Sequence, residues 1–108
     1  MKPQIFEFSA WYELNQDIYQ QMSSIIKESG HTILGTKDYN FEPQGYTCVW
    51  LLAESHLACH TYPEHNLVYI QLSSCSKAKY NLLISNLQTT FKNEQHKKIQ
   101  KSIAKPLQ

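Results

Sequence analysis

Apolar positions along this 108-residue chain change period several times, and the changes divide it into short elements. Phe6, Phe8 and Ala10 alternate with other residues in Ile5 to Trp11, the spacing of a strand with one buried face. From Leu14 the period lengthens. Leu14, Ile18, Met22, Ile25 and Ile26 recur at three- and four-residue steps, which predicts an amphipathic helix ended by Gly30 in a left-handed cap. His31 to Thr36 reads as a second strand with Asp38 to Asn40 as its exit. Glu42-Pro43-Gln44-Gly45 then reads as a type I turn with Pro43 in second position. In Tyr46 to Leu52 both alternating sets are largely apolar, which predicts a central strand covered on both faces. Leu67 to Leu72 returns as a strand after a turn in which Asn66 tolerates positive φ. Leu83, Leu87 and Phe91 step by four in a second helix, which the hydroxyls of Ser73 to Ser76 can cap. Gln95 to Ile103 adds a last strand through Ile99 and Ile103, and Pro106 onward frays.

This order predicts an α+β two-layer sandwich, a largely antiparallel sheet with two helices on one face, as a single domain over residues 1–108. An apolar second sheet face would call for a partner, and a second copy of the chain is the economical one. Composition narrows the function classes. A net charge of +1 supplies no field suited to nucleic acid or an anionic membrane. Lys97, Lys98, Lys101 and Lys105 gather late, as on a solvated tail or edge strand. No run approaches the roughly 18 apolar residues of a membrane span, the N-terminus lacks a secretion signal, and Cys48, Cys59 and Cys75 form no disulfide framework. The expectation is a reduced, cytoplasmic protein.

Leu52 to Glu64 departs from the surrounding apolar runs. It holds Glu54, Ser55, His56, Cys59, His60 and Glu64 between two strand patterns, a polar density that packing disfavours. Residue types alone leave two readings of it. His56, His60 and Cys59, with Glu54 and Cys75, are metal-ligand types, although a four-residue histidine spacing converges only on a helix, and no metal is expected. Cys59 or Cys75 could instead be a nucleophile activated by His60.

A third reading comes from resemblance. Phe41-Glu42-Pro43-Gln44-Gly45, Leu51-Leu52-Ala53-Glu54-Ser55-His56-Leu57, His60-Thr61-Tyr62-Pro63-Glu64 and Ser74-Cys75 resemble, in order and spacing, the prokaryotic S-adenosylmethionine decarboxylases. The likeness is close over residues 33–76. It implies a proenzyme that cuts itself between Glu54 and Ser55, giving a β chain of residues 1–54 and an α chain of residues 55–108 that begins with a pyruvoyl group made from Ser55. It further implies His60 and Thr47 as processing groups, with Thr47 where serine is usual. Cys75 matches the proton donor to the substrate carbon. Phe41 and Tyr62 match an aromatic pair around adenine, Tyr62 standing where tryptophan is common, and Glu64 matches the carboxylate on the ribose. Ser76 replaces a usual glycine, Lys77-Ala78-Lys79-Tyr80 an acidic loop, and Phe8-Ser9-Ala10-Trp11 a glycine-cysteine ending. The implied activity is decarboxylation of S-adenosylmethionine for spermidine synthesis by a homodimer of processed protomers. The alternatives are the same chemistry on ornithine or arginine, or an unprocessed homologue that binds nucleoside or regulates a partner subunit.

Overall fold

A computed structural model of the chain describes residues 2–14 and 17–91. Its elements are β1 (Phe6–Glu13), α1 (Ile18–Glu28), β2 (Ile33–Asn40), β3 (Tyr46–Leu52), β4 (Ser55–Tyr62), a 3-10 turn (Pro63–His65), β5 (Leu67–Ser74) and α2 (Lys77–Thr90). The strands pair antiparallel throughout, in the order β1-β5-β4-β3-β2. Met22, Ile25 and Ile26 of α1 and Leu83 and Leu87 of α2 join one core with Ala10, Cys48, Trp50, Leu57, Cys59, Ile70 and Leu72 from the sheet. The helices therefore cover one sheet face, the two-layer α+β arrangement expected. Trp50 anchors this core: it is fully buried, stacks on the Tyr19 ring at 5.7 Å with 22° between the planes, and donates its Nε1–H to Ser23 Oγ at 3.1 Å.

The centre of the sheet is β4, not β3. Leu57, Cys59 and Thr61 point into the core while His56, Ala58, His60 and Tyr62 alternate on the other face, so the polar stretch between two strands is itself a strand. Nor is β3 covered on both sides. Cys48, Trp50 and Leu52 are buried, whereas Val49 is 38% and Leu51 57% exposed on the helix-free face. The second strand runs on through Lys37, Asp38 and Asn40, because an edge strand leaves those polar side chains in solvent while its backbone pairs with β3. The Glu42–Pro43 peptide in the expected turn is cis. The expected strand Gln95 to Ile103, the late lysines and the tail lie outside the described residues.

Helix boundaries follow local chemistry. Leu14 does not begin α1, since its N–H donates to Asn66 O at 2.9 Å and ties it to the β5 turn, where Asn66 has φ +56°. The first turn of α1 starts after Asp17. At the other end Gly30 (φ +91°) closes a Schellman motif: its N–H bonds Lys27 O at 3.0 Å and the His31 N–H bonds Ile26 O at 3.3 Å. Gly30→Ala is expected to destabilise the fold by about 1–2 kcal/mol, the cost of a Cβ in this backbone region. A lowered urea midpoint with unchanged slope checks it. Ser76, whose Oγ accepts the Lys79 N–H at 3.4 Å, caps α2 as the hydroxyl run predicted.

Candidate active site

The site residues read from the sequence fall into two groups at opposite ends of β4. At its C-terminal end Phe41, Thr47, His60, Tyr62 and Glu64 line one cavity of about 290 Å³. Phe41 enters from the loop after β2. That loop is closed by a Phe41 N–H to Gly45 O bond of 2.8 Å, and a Cβ added at Gly45 (φ +110°) would lie 3.6 Å from the Phe41 Cβ. Phe41 is 49% and Tyr62 37% exposed, so two aromatic surfaces remain open beside the Glu64 carboxylate. Gln44 Nε2 lies 3.5 Å from Glu64 Oε1. Behind Tyr62, Trp11 stacks at a tilt, 5.4 Å away, and holds that ring from the sheet side.

Thr47 and His60 are paired across β3 and β4, and Thr47 Oγ1 lies 3.0 Å from His60 Nδ1. Burial lowers the His60 pKa, which keeps the imidazole neutral near pH 7. A neutral ring held through one nitrogen leaves Nε2 to exchange a proton.

The second group lies at the β3–β4 hairpin. Ala53 and Glu54 form a two-residue loop, with positive φ at Glu54 (+79°) alone. Glycine is the residue suited to that conformation, and a glutamate there stores about 1–3 kcal/mol of backbone strain. Ser55 follows as the first residue of β4, opposite both Leu52 and Ser74. Its Oγ is buried without a hydrogen-bond partner. Cys75 follows Ser74 and is exposed.

Ser55 does not meet His60 within one chain. Five residues along a strand separate them by about 17 Å, and the odd spacing puts Ser55 on the helix-covered face and His60 on the open face. The thiol reading of Cys59 fails on the same alternation. Cys59 points into the core away from its neighbour His60, and burial pushes its pKa up to about 12. Among the described residues no three His, Cys, Asp or Glu side chains converge on a point.

Three functional-looking side chains had no site role assigned from the sequence: Ser29, His31 and Ser74. All are buried, and they form a hydrogen-bonded chain beside Ser55. The signal available was a histidine directly after a capping glycine, where an apolar residue usually closes the motif.

Fold and site together define a two-layer α+β protein with an aromatic, carboxylate-edged cleft at one end of its central strand and a strained, serine-bearing hairpin at the other. Residues 10–102 match the family model described as S-adenosylmethionine decarboxylase. The chain belongs to that family. It is 38% identical over 60 residues to the S-adenosylmethionine decarboxylase proenzyme of Aquifex aeolicus (strain VF5), covering 56% of this chain and 44% of that relative. The proenzyme of Prochlorococcus marinus (strain MIT 9313) is 37% identical over 65 residues, 58% of this chain and 52% of the relative. The matched segments thus span about half the length of these relatives. A crystal structure of the adenosylmethionine decarboxylase from Aquifex aeolicus superimposes with a TM-score of 0.74 at 25% identity, covering 87% of this chain and 85% of that one.

Proposed function

We propose that this chain is a self-processing decarboxylase of S-adenosylmethionine that makes its own pyruvoyl group from Ser55. The observation that carries the reading is the hairpin. A strained Glu54 precedes a serine whose buried hydroxyl has no partner, so the nucleophile is adjacent to the carbonyl it must reach and its hydroxyl is not committed elsewhere. Antiparallel partners on both sides of β4 hold that geometry rigid. When present, the pyruvoyl ketone supplies an electron sink for the pair of electrons left behind by carbon dioxide. The chain supplies the rest: Phe41 and Tyr62 would take the adenine between their rings, Glu64 the ribose hydroxyls, and Cys75 a proton to the substrate carbon.

Cleft and hairpin must come together for this, and a second copy provides the means. The open sheet face exposes Val49, Leu51, Tyr39 and Tyr62, and two such faces packed together would set the hairpin of one copy over the cleft of the other. A homodimer is therefore part of the proposal. Among the described residues no helix is long and apolar enough to cross a membrane.

Intact mass and carbon dioxide release test both parts. Incubated chain is expected to give fragments 1–54 and 55–108 and to release carbon dioxide from S-adenosylmethionine, not from ornithine or arginine. A processed Glu64→Ala dimer mixed with Ser55→Ala chains is expected to regain turnover on subunit exchange if the site is shared. A single chain of 12.6 kDa that never cuts overturns the reading.

A further inference from the structure

We propose that His31 accepts the Ser55 hydroxyl proton through Ser74 during self-cleavage, as a positioning residue on the helix-covered face of the sheet. The inference rests on the self-processing reading and adds to it the group that activates the serine within its own chain.

Hydrogen-bond accounting fixes the direction of the chain. Ser29 Oγ donates its one proton to Ile26 O at 2.6 Å, so it can only accept from His31 Nδ1, 2.7 Å away. His31 is then the Nδ1–H tautomer, with the Nε2 lone pair 3.2 Å from Ser74 Oγ. Ser74 Oγ also receives the Ser76 N–H at 3.2 Å, and it lies 3.3 Å from Ser76 O, which competes for its proton. One acceptor position on Ser74 remains. Ser74 is paired in register with Ser55, and both side chains stand on the same face. The β-carbons of such a pair are about 4.5–5.5 Å apart, a gap two hydroxyls can close by rotation. The buried Ser55 Oγ, without a partner of its own, is the group that fits.

The step balances within the chain. As Ser55 Oγ bonds to the Glu54 carbonyl carbon, its proton passes to Ser74 Oγ while the Ser74 proton passes to His31 Nε2. Collapse breaks the carbon–nitrogen bond, and the proton returns along the same path to the freed Ser55 nitrogen. An amide becomes an ester and an amine, with no other reactant. The charged groups facing His31 are Lys79 of α2 and Glu54 of the hairpin; burial is the larger influence and favours the neutral ring that the step requires.

The test follows the rate of cutting of the freshly purified full chain against pH, by intact mass, with folding checked by circular dichroism. The wild type is expected to show a rate that is level near neutrality and falls at acid pH as His31 takes a proton. His31→Gln and Ser74→Ala are each expected to slow cutting about 10²-fold or more, the usual contribution of a positioned base, and to lose the acid limb. Ser74→Thr, which keeps the hydroxyl, is expected to restore both. Should His31→Gln not fold, the Ser74 pair decides. Wild-type rates and an unchanged acid limb in the folded variants overturn the role of His31 and leave self-processing standing. A wild-type chain that never cuts overturns both.

Discussion

Ser55→Ala is expected to remain one uncut chain of 12.6 kDa and to release no carbon dioxide from S-adenosylmethionine. On the proposed reading loss is complete because the serine has two successive uses: its hydroxyl is the nucleophile that breaks the backbone, and its carbon skeleton becomes the cofactor. Stability separates this outcome from misfolding. The Ser55 Oγ is buried without a partner, so alanine removes an uncompensated polar group and leaves a side chain of nearly the same shape. Relief of such a group is worth about 1 kcal/mol. The urea midpoint of Ser55→Ala is therefore expected at or above that of uncut wild type. A variant that is uncut and also strongly destabilised would assign Ser55 to the fold. Cutting in the alanine variant would remove serine from the chemistry altogether.

Much of the fold around this hairpin was legible in the sequence, and the parts that were not have physical causes. Local features were readable because each is settled by a few neighbouring residues. Gly30 had to follow the last turn of α1, Ser76 had the right side chain to cap α2, and Asn66 tolerates its positive φ. Non-local pairing was not. The order β1-β5-β4-β3-β2 sets Ser74 opposite Ser55, and nothing in either segment alone specifies that register.

The strand β4 was hidden for a different reason. Its outward positions carry His56 and His60, residues chosen for an exposed or functional face, and they mask the inward alternation of Leu57, Cys59 and Thr61. Apparent conflict between chemistry and packing vanished once the two were assigned to opposite faces. The same two-faced strand explains why sequence adjacency misled. His60 and Ser55 belong to one motif, yet one looks toward solvent and the other toward the helices. By contrast His31, 24 residues before Ser55, lies on the serine's own side of the sheet.

Cys75→Ala is expected to cut normally and then turn over about 10²–10⁴-fold more slowly, the range associated with loss of a positioned proton donor. Three cysteines are present, and position distinguishes them. Cys48 and Cys59 face each other across β3 and β4 in the core, fully buried, and burial raises both thiol pKa values. They contribute volume. Cys59→Ala is accordingly expected to lower stability through a cavity while leaving turnover per folded molecule unchanged. Cys75 stands just beyond β5, exposed, one residue after the partner of Ser55. Its removal opens no cavity, and surface changes of this kind fall within about ±0.5 kcal/mol. In the proposed sequence of events cutting precedes any encounter with substrate and runs on the serine's own face, so it would have no need of the thiol. Split behaviour, with fragments at the wild-type rate and little carbon dioxide release, is thus the signature of a group used only after processing. Full turnover in Cys75→Ala would remove the thiol from the reaction, and failure to cut would place it in the earlier step.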